Sequence, residues 1–307
     1  MRSERTNALL YLSTILIWGS TWLAIKFQLG TVAPEVSVCW RFGAGALMLA
    51  TLARLRGLSL RFDARTHAWL ALQGCFLFGI NYILVYVSEQ SLASGLVAVT
   101  FTLIVLFNIV FLRLFFGTPM KPHTLAGAAL GVAGVAVLFW PDLADFSFSS
   151  GRRTGLIECL VSTVMASIGN MVATRNHRHR IPVISGNAWA MMYGAMFVGL
   201  TAALSGKSFT FDLSLPYVAS LLYLALFGSV FAFLAYLTLL GRIGADRAGY
   251  SAVITPVIAM ILSTFFEGLQ WNAWIAVGMA LCLAGNLLVL PVASKGMGKP
   301  TRAARGV

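Results

Sequence analysis

The chain has 307 residues, of which 59% are hydrophobic and only 10% are charged, with a net charge of +12. A water-soluble domain carries roughly 25% charged residues, so most of this surface faces something other than water. The basic excess sits in short connectors between apolar runs. That pattern points to membrane topology and away from nucleic acid.

Apolar runs of about 20 residues, enough to cross ~30 Å of hydrocarbon, fall in chain order at 8–27, 33–53, 68–87, 92–113, 123–140, 155–174, 183–204, 217–239, 247–266 and 271–290. The first, Leu9 to Phe27, is too long for the apolar part of a cleaved leader and reads as a membrane span. The alternation of a membrane barrel is not seen. Cys39, Cys75, Cys159 and Cys282 all lie inside apolar runs, with neither disulfide nor metal spacing, and read as small buried hydrophobes.

Connector charges alternate. Six connectors or ends hold 17 of the 22 basic residues: Arg2 and Arg5; Arg54, Arg56, Arg61 and Arg65; Arg113 and Lys121; Arg175, Arg178 and Arg180; Arg242 and Arg247; and Lys295, Lys299, Arg302 and Arg305. Lys26, Arg41, Arg152, Arg153 and Lys207 make up the rest. The positive-inside bias then places both termini in the cytoplasm of a multi-pass protein of the bacterial inner (plasma) membrane. Glu35, Glu89, Asp142, Asp145, Asp212 and Glu267 read as lying toward the other side.

The chain also repeats itself. Leu125–Gly134 aligns with Ala276–Gly285, with five identities at an offset of 151, and Ile17–Ser20 aligns with Ser167–Asn170 at 150. An odd unit of five helices, duplicated in one chain, inserts its copies in opposite orientations. Inverted repeats mark secondary transporters whose substrate site lies near the midplane between the halves. The expected fold is an all-α membrane protein of ten transmembrane helices in two inverted five-helix repeats, 1–143 and 151–292, followed by a disordered basic cytoplasmic tail, 293–307.

Trp18, Gly19, Ser20, Thr21 and Trp22 in the first span, Pro34 and Arg41 in the second, and Pro256 and Glu267 around the ninth resemble the EamA-like branch of the drug/metabolite transporter superfamily. The resemblance covers about residues 8–290. Gly268, Leu269, Gln270 and Trp271, with the stretch from Gly278 to Leu290, are most similar to YddG-type bacterial aromatic amino acid exporters. The resemblance implies ten helices, cytoplasmic termini and export of amino acids or related metabolites. In the first half, Val105 and Phe116 stand where the second has Pro256 and Glu267.

Polar groups inside spans are costly and point to function. Lys26 either snorkels to the interface or draws anions to a cavity mouth. Arg41, about 10 Å inside its span at 1.5 Å per residue, needs a cavity or a partner. The alternatives are a latch to Glu158, read as the acid lying within a span, and a contact to a substrate carboxylate. The pairs Trp18 and Trp22, Tyr82 and Tyr86 (beside Asn81), and Trp189 and Tyr193 each share one helix face and line either a packing seam or an aromatic cavity. Trp18, Trp22, Arg41, Asn81, Tyr82, Trp189, Ser251 and Thr255 are the expected substrate-binding residues. Ser251 and Thr255 lie one turn apart before Pro256, which kinks its helix or frees a carbonyl for substrate. Lys26, Glu158 and Pro256 are the expected gating or coupling residues. Partners are a small-molecule substrate and the lipid bilayer, with no nucleic acid, cofactor or metal. Export of amino acids, most naturally aromatic or apolar ones, is the leading expectation. A purine or polyamine substrate, a membrane enzyme and a channel are alternatives. No phosphate-binding GxxxxGK[ST] loop is present, so ATP is not expected to drive transport within this chain.

Overall fold

The computed structural model describes residues 2–144, 151–243 and 251–289, and no strand occurs among them. The tail 293–307 lies outside the described residues. The helices are α1 (Arg2–Lys26), α2 (Pro34–Leu55), α3 (Ala64–Ser91), α4 (Ser94–Phe116), α5 (Pro122–Leu138), α6 (Gly151–Arg178), α7 (Val183–Leu204), α8 (215–243), α9 (Ser251–Glu267) and α10 (Ala273–Val289), with a single turn at Trp140–Ala144 after α5. Seven of them are long and apolar enough to cross a membrane. The apolar helices α5, α9 and α10 have 17 residues each, about 25 Å at 1.5 Å per residue.

Local chemistry sets the helix ends. Pro34 and Pro122 open α2 and α5, where the absent N–H would have no partner in any case. Gly117 (φ 68°) closes α4 and Gly268 (φ 68°) follows α9 in left-handed backbone that a side chain would strain. Two helices carry π-helical stretches, Gly74–Ile80 in α3 and Leu224–Phe231 in α8. A wide turn leaves carbonyls poorly matched. Asn81 Nδ2 donates to Leu77 O (3.0 Å) beside the first stretch, and Ser229 Oγ donates to Leu224 O (3.0 Å) in the second.

Packing repeats at an offset of five helices. α2 packs on α7 and α5 on α10, and the contacts of α1 with α9 and α8 have counterparts in those of α6 with α4 and α3. The two π-helical stretches begin 150 residues apart. The α5–α10 seam is reciprocal. A Cβ on Gly127 would lie 2.5 Å from Gly285 O, and one on Gly285 would lie 2.5 Å from Gly127 O. Gly134 and Gly278 meet in the same way at 2.7 and 2.6 Å. Backbones this close leave no room for side chains, which is how helices associate where lipid cancels the hydrophobic drive.

Large apolar residues such as Leu9, Leu47, Leu200 and Phe265 are exposed on the outside of the bundle, as suits a hydrocarbon solvent. The interior is unusually polar. Gln28, Arg41, Gln73, Asn81, Glu89 and Asn176 are all buried. Glu89 departs from the connector position expected for it. α3 runs on to Ser91, because Ser88 and Glu89 are covered by protein and need no aqueous end to the helix.

Replacing Gly134 or Gly285 by leucine inserts atoms into the backbone seam and is expected to cost about 1–3 kcal/mol or more. Thermal unfolding in detergent checks this, with Gly43→Ala as the control, since nothing lies within 4 Å of a Cβ there.

Candidate functional site

A chamber of about 290 Å³ lies where α1, α2, α3, α4, α7, α8, α9 and α10 converge. Its aromatic wall is assembled in steps. Trp22 tilts against Phe101 (5.3 Å), and Phe42 meets Phe78 (5.2 Å) and stands edge-on to Tyr82 (4.6 Å). The rest of the lining includes Trp18, Thr21, Thr102, Val105, Met191, Gly228, Ser229, Thr255, Pro256 and Asn286.

Arg41 is the cation of this chamber. It is only 3% exposed, and its guanidinium lies over the rings of Tyr82 (4.7 Å) and Phe42 (5.1 Å). Nη1 donates to Tyr86 Oη at a long 3.5 Å, Tyr86 in turn donates to Gln28 Oε1 (2.6 Å), and Nε has no partner among the described residues. Ring faces offset part of the cost of a buried cation and phenols accept weakly, but no carboxylate of the described residues pairs with Arg41. The expected latch from Arg41 to Glu158 is not formed. Glu158 is half-buried on α6 and makes no ion pair among the described residues.

Of the residues expected to bind substrate, Trp18, Trp22, Arg41, Tyr82 and Thr255 meet in this chamber, and Pro256, expected as a gating residue, lines it too. Asn81 is turned to Leu77 O in its own helix. Trp189 lies elsewhere. Its Nε1 donates to Leu60 O (2.9 Å), and its ring stacks on Tyr193 and meets His67 edge-on (4.7 Å), so it fastens the connector before α3. Ser251 is buried, its carbonyl accepting from Thr255 Oγ1 (2.8 Å) in α9, and is not among the lining residues.

A second chamber, about 500 Å³, lies toward the end that carries Arg175 and Arg178. Five amides stand in its otherwise largely apolar wall. Gln73 Nε2 donates to Asn187 Oδ1 (2.9 Å), Asn176 Nδ2 donates to Gln73 Oε1 (2.9 Å), and Asn108 Oδ1 accepts from Ser167 Oγ (2.8 Å) and Asn170 Nδ2 (3.3 Å). Trp18 of the first chamber and Tyr236 of the second stand 5.2 Å apart, so this aromatic pair separates the two.

The opposite end is closed. Lys26 Nζ donates to Glu89 O and to Leu92 O (2.7 Å) and pairs with Glu267 Oε2 (3.5 Å). Glu267 also caps α4, accepting from Ser94 N (3.0 Å to Oε2) and from Ser94 Oγ. One cluster therefore ties the ends of α1, α3, α4 and α9. Sequence spacing could not join Lys26 to Glu267, which are far apart along the chain. Glu267 was legible only through the family resemblance. Lys26→Met and Glu267→Gln are expected to lower the melting temperature, and the double variant to show a coupling of about 1 kcal/mol in a double-mutant cycle.

An EamA-like transporter family model matches residues 5–140 and 153–290. The inner membrane transporter YedA of Escherichia coli K12, an uncharacterized protein, is 30% identical over 268 residues, covering 86% of this chain and 84% of its own. The uncharacterized transporter YoaV of Bacillus subtilis is 26% identical over 91% of this chain and 92% of its own, and the protein PagO of Salmonella typhimurium 24% over 85% of each. A solved crystal structure shares the fold with a TM-score of 0.65 at 20% identity, over 92% of this chain and 96% of that one. With helices long and apolar enough to cross a membrane, an aromatic chamber among them and two matches to the same family model, the chain belongs to the EamA-like transporter family and is a membrane transporter.

Proposed function

We propose that the protein exports amino acids, or related small metabolites bearing a carboxylate and an aromatic or apolar side chain, by alternating access around the Arg41 chamber. The observation that carries the reading is Arg41 itself: a buried guanidinium, flanked by rings, with a free Nε and no acidic partner among the described residues. A ligand carboxylate completes such a site with charge-assisted hydrogen bonds, and the rings beside it accept an apolar side chain. Binding a carboxylate also removes the cost of an uncompensated charge, so selectivity and affinity share one source. This favours amino acids with YddG-like preference. It disfavours polyamines, which would meet a fixed cation.

Two inverted five-helix repeats, 1–143 and 151–292, are supported by the five-helix offset in packing and by the π-helical stretches 150 residues apart. The reciprocal glycine seam and the two family matches support them as well. With both termini in the cytoplasm, as the connector charges suggest, the amide-lined chamber opens inward and the Lys26 cluster seals the outer face. Rocking of the halves would part that cluster and close the vestibule. Ile258 and the carbonyl of Thr255 on α9 lie against Gly19 of α1, beside the chamber residues Thr255 and Pro256, so a shift of α9 against α1 would reshape the chamber.

Counterflow of labelled phenylalanine in proteoliposomes tests the reading. Arg41→Gln is expected to lower flux at least tenfold and Arg41→Lys to retain part of it, because a lysine keeps the charge but not the forked donors. Trp22→Ala or Tyr82→Ala is expected to lower the preference for aromatic over small amino acids several-fold. Wild-type flux in Arg41→Gln would contradict the reading.

A further inference from the structure

The acid that matters most at the sealed end does not touch Lys26 through its carboxylate. Glu89 is 0% exposed, and neither of its carboxylate oxygens has a hydrogen-bond partner among the described residues. Its surroundings are crowded with charge that is already committed. From α1, Lys26 directs its ammonium at two backbone carbonyls, one of them that of Glu89, and at Glu267. Three donors thus meet three acceptors, which exhausts an ammonium group. From the end of α9, Glu267 faces Glu89 as a like charge and is itself held by Ser94 and Lys26. From α2, Arg41 is the remaining cation that Glu89 feels, but its guanidinium rests on Tyr82, Phe42 and the Tyr86 hydroxyl. Tyr86 on its own helix and Cys159 on α6 complete the titratable groups around it.

An ionised carboxylate sealed in such a place, with no donor and a second carboxylate nearby, is too costly to persist. Burial without compensating hydrogen bonds is answered by neutralisation. We infer that Glu89 is a proton-binding site of the outer gate: the Lys26–Glu267–Ser94 cluster closes over Glu89 only when its carboxylate has taken up one proton from water on the Lys26 side. The step balances simply. On closure one carboxylate oxygen gains an O–H bond and the compartment loses one proton. On opening, water reaches the group, the O–H bond breaks and the proton returns to water. Lower pH on that side therefore favours the closed gate, and this stabilisation is lost as pH rises.

The site requires only a gate with open and closed states. Its role in transport rests on the carrier reading above, but its test needs no substrate. Hydrogen–deuterium exchange of the segment 86–97 in nanodiscs, corrected for the intrinsic pH dependence of exchange, measures gate opening directly. In the parent protein the opening constant is expected to rise with pH by up to tenfold per unit, the limit for one proton. In Glu89→Gln, where the amide stays neutral, the segment is expected to remain protected with no pH slope. In Glu267→Gln exchange is expected to be faster at every pH with the slope kept, because the clamp is weakened and the titrating group remains. A flat profile in the parent, an unchanged slope in Glu89→Gln, or loss of the slope in Glu267→Gln would overturn the proposal. Should Glu89→Gln not fold, the parent and Glu267→Gln profiles decide it. If phenylalanine transport fails while these profiles hold, the fault lies with the substrate reading and not with the gate.

Discussion

A full positive charge held deep in a membrane protein must be solvated by the protein itself, and Arg41 is the residue on which that constraint falls. Its solution is partial. Aromatic faces and one phenol surround the guanidinium, and no acid among the described residues pairs with it. A neutralised pair at this depth would be a strut, with no free valence for a ligand. The incomplete solution leaves a standing electrostatic demand at the chamber wall, which under the proposed function a small apolar anion or zwitterion would meet. The same chain of groups runs outward through Tyr86 to Gln28, so the centre of the molecule and its sealed end share a hydrogen-bonded connection.

The rest of the architecture serves that chamber. Glycine seams bring α5 to α10 at backbone distance, and the small residues of α2 and α7 let those helices pack closely, so the bundle holds together without hydrophobic drive from water. π-helical stretches in α3 and α8 disturb the regular helical turn on the chamber wall, and they lie beside Phe78 and at Gly228 and Ser229, all of which line it. The amide network toward the basic end offers a polar route that Arg175 joins through Asn176 Oδ1. The Lys26–Glu267 cluster at the other end offers an electrostatic seal.

Much of this was legible in the sequence because membrane helices obey one-dimensional rules. Apolar runs gave the helices, and the composition gave the solvent. The offset repeat at Gly127–Gly134 and Gly278–Gly285 marked residues that meet in space. The depth of Arg41 was readable from helical rise alone, as was its need for a cavity. Other features depend on three-dimensional proximity and left no local trace. Trp189 and Tyr193 had the same spacing as Trp18 and Trp22, yet one pair meets a connector and the other the chamber wall. Glu89 looked like a connector residue, because hydropathy ends a span at the first polar cluster, whereas tertiary cover lets α3 continue through it. The clamp of Lys26 by Glu267 joins groups more than two hundred residues apart, and no periodicity encodes it.

The central claim is that an unneutralised Arg41 reads a carboxylate, and the unaltered protein can answer it. Binding of phenylalanine, phenylalaninamide and phenethylamine to the purified transporter, measured by calorimetry under one set of conditions, compares ligands that share the ring and differ at the carboxyl group. The account expects phenylalanine to bind roughly 10–100-fold more tightly than either analogue, the equivalent of about 1.4–2.7 kcal/mol for one charge-assisted contact. Equal or tighter binding of the amine or the amide would contradict it.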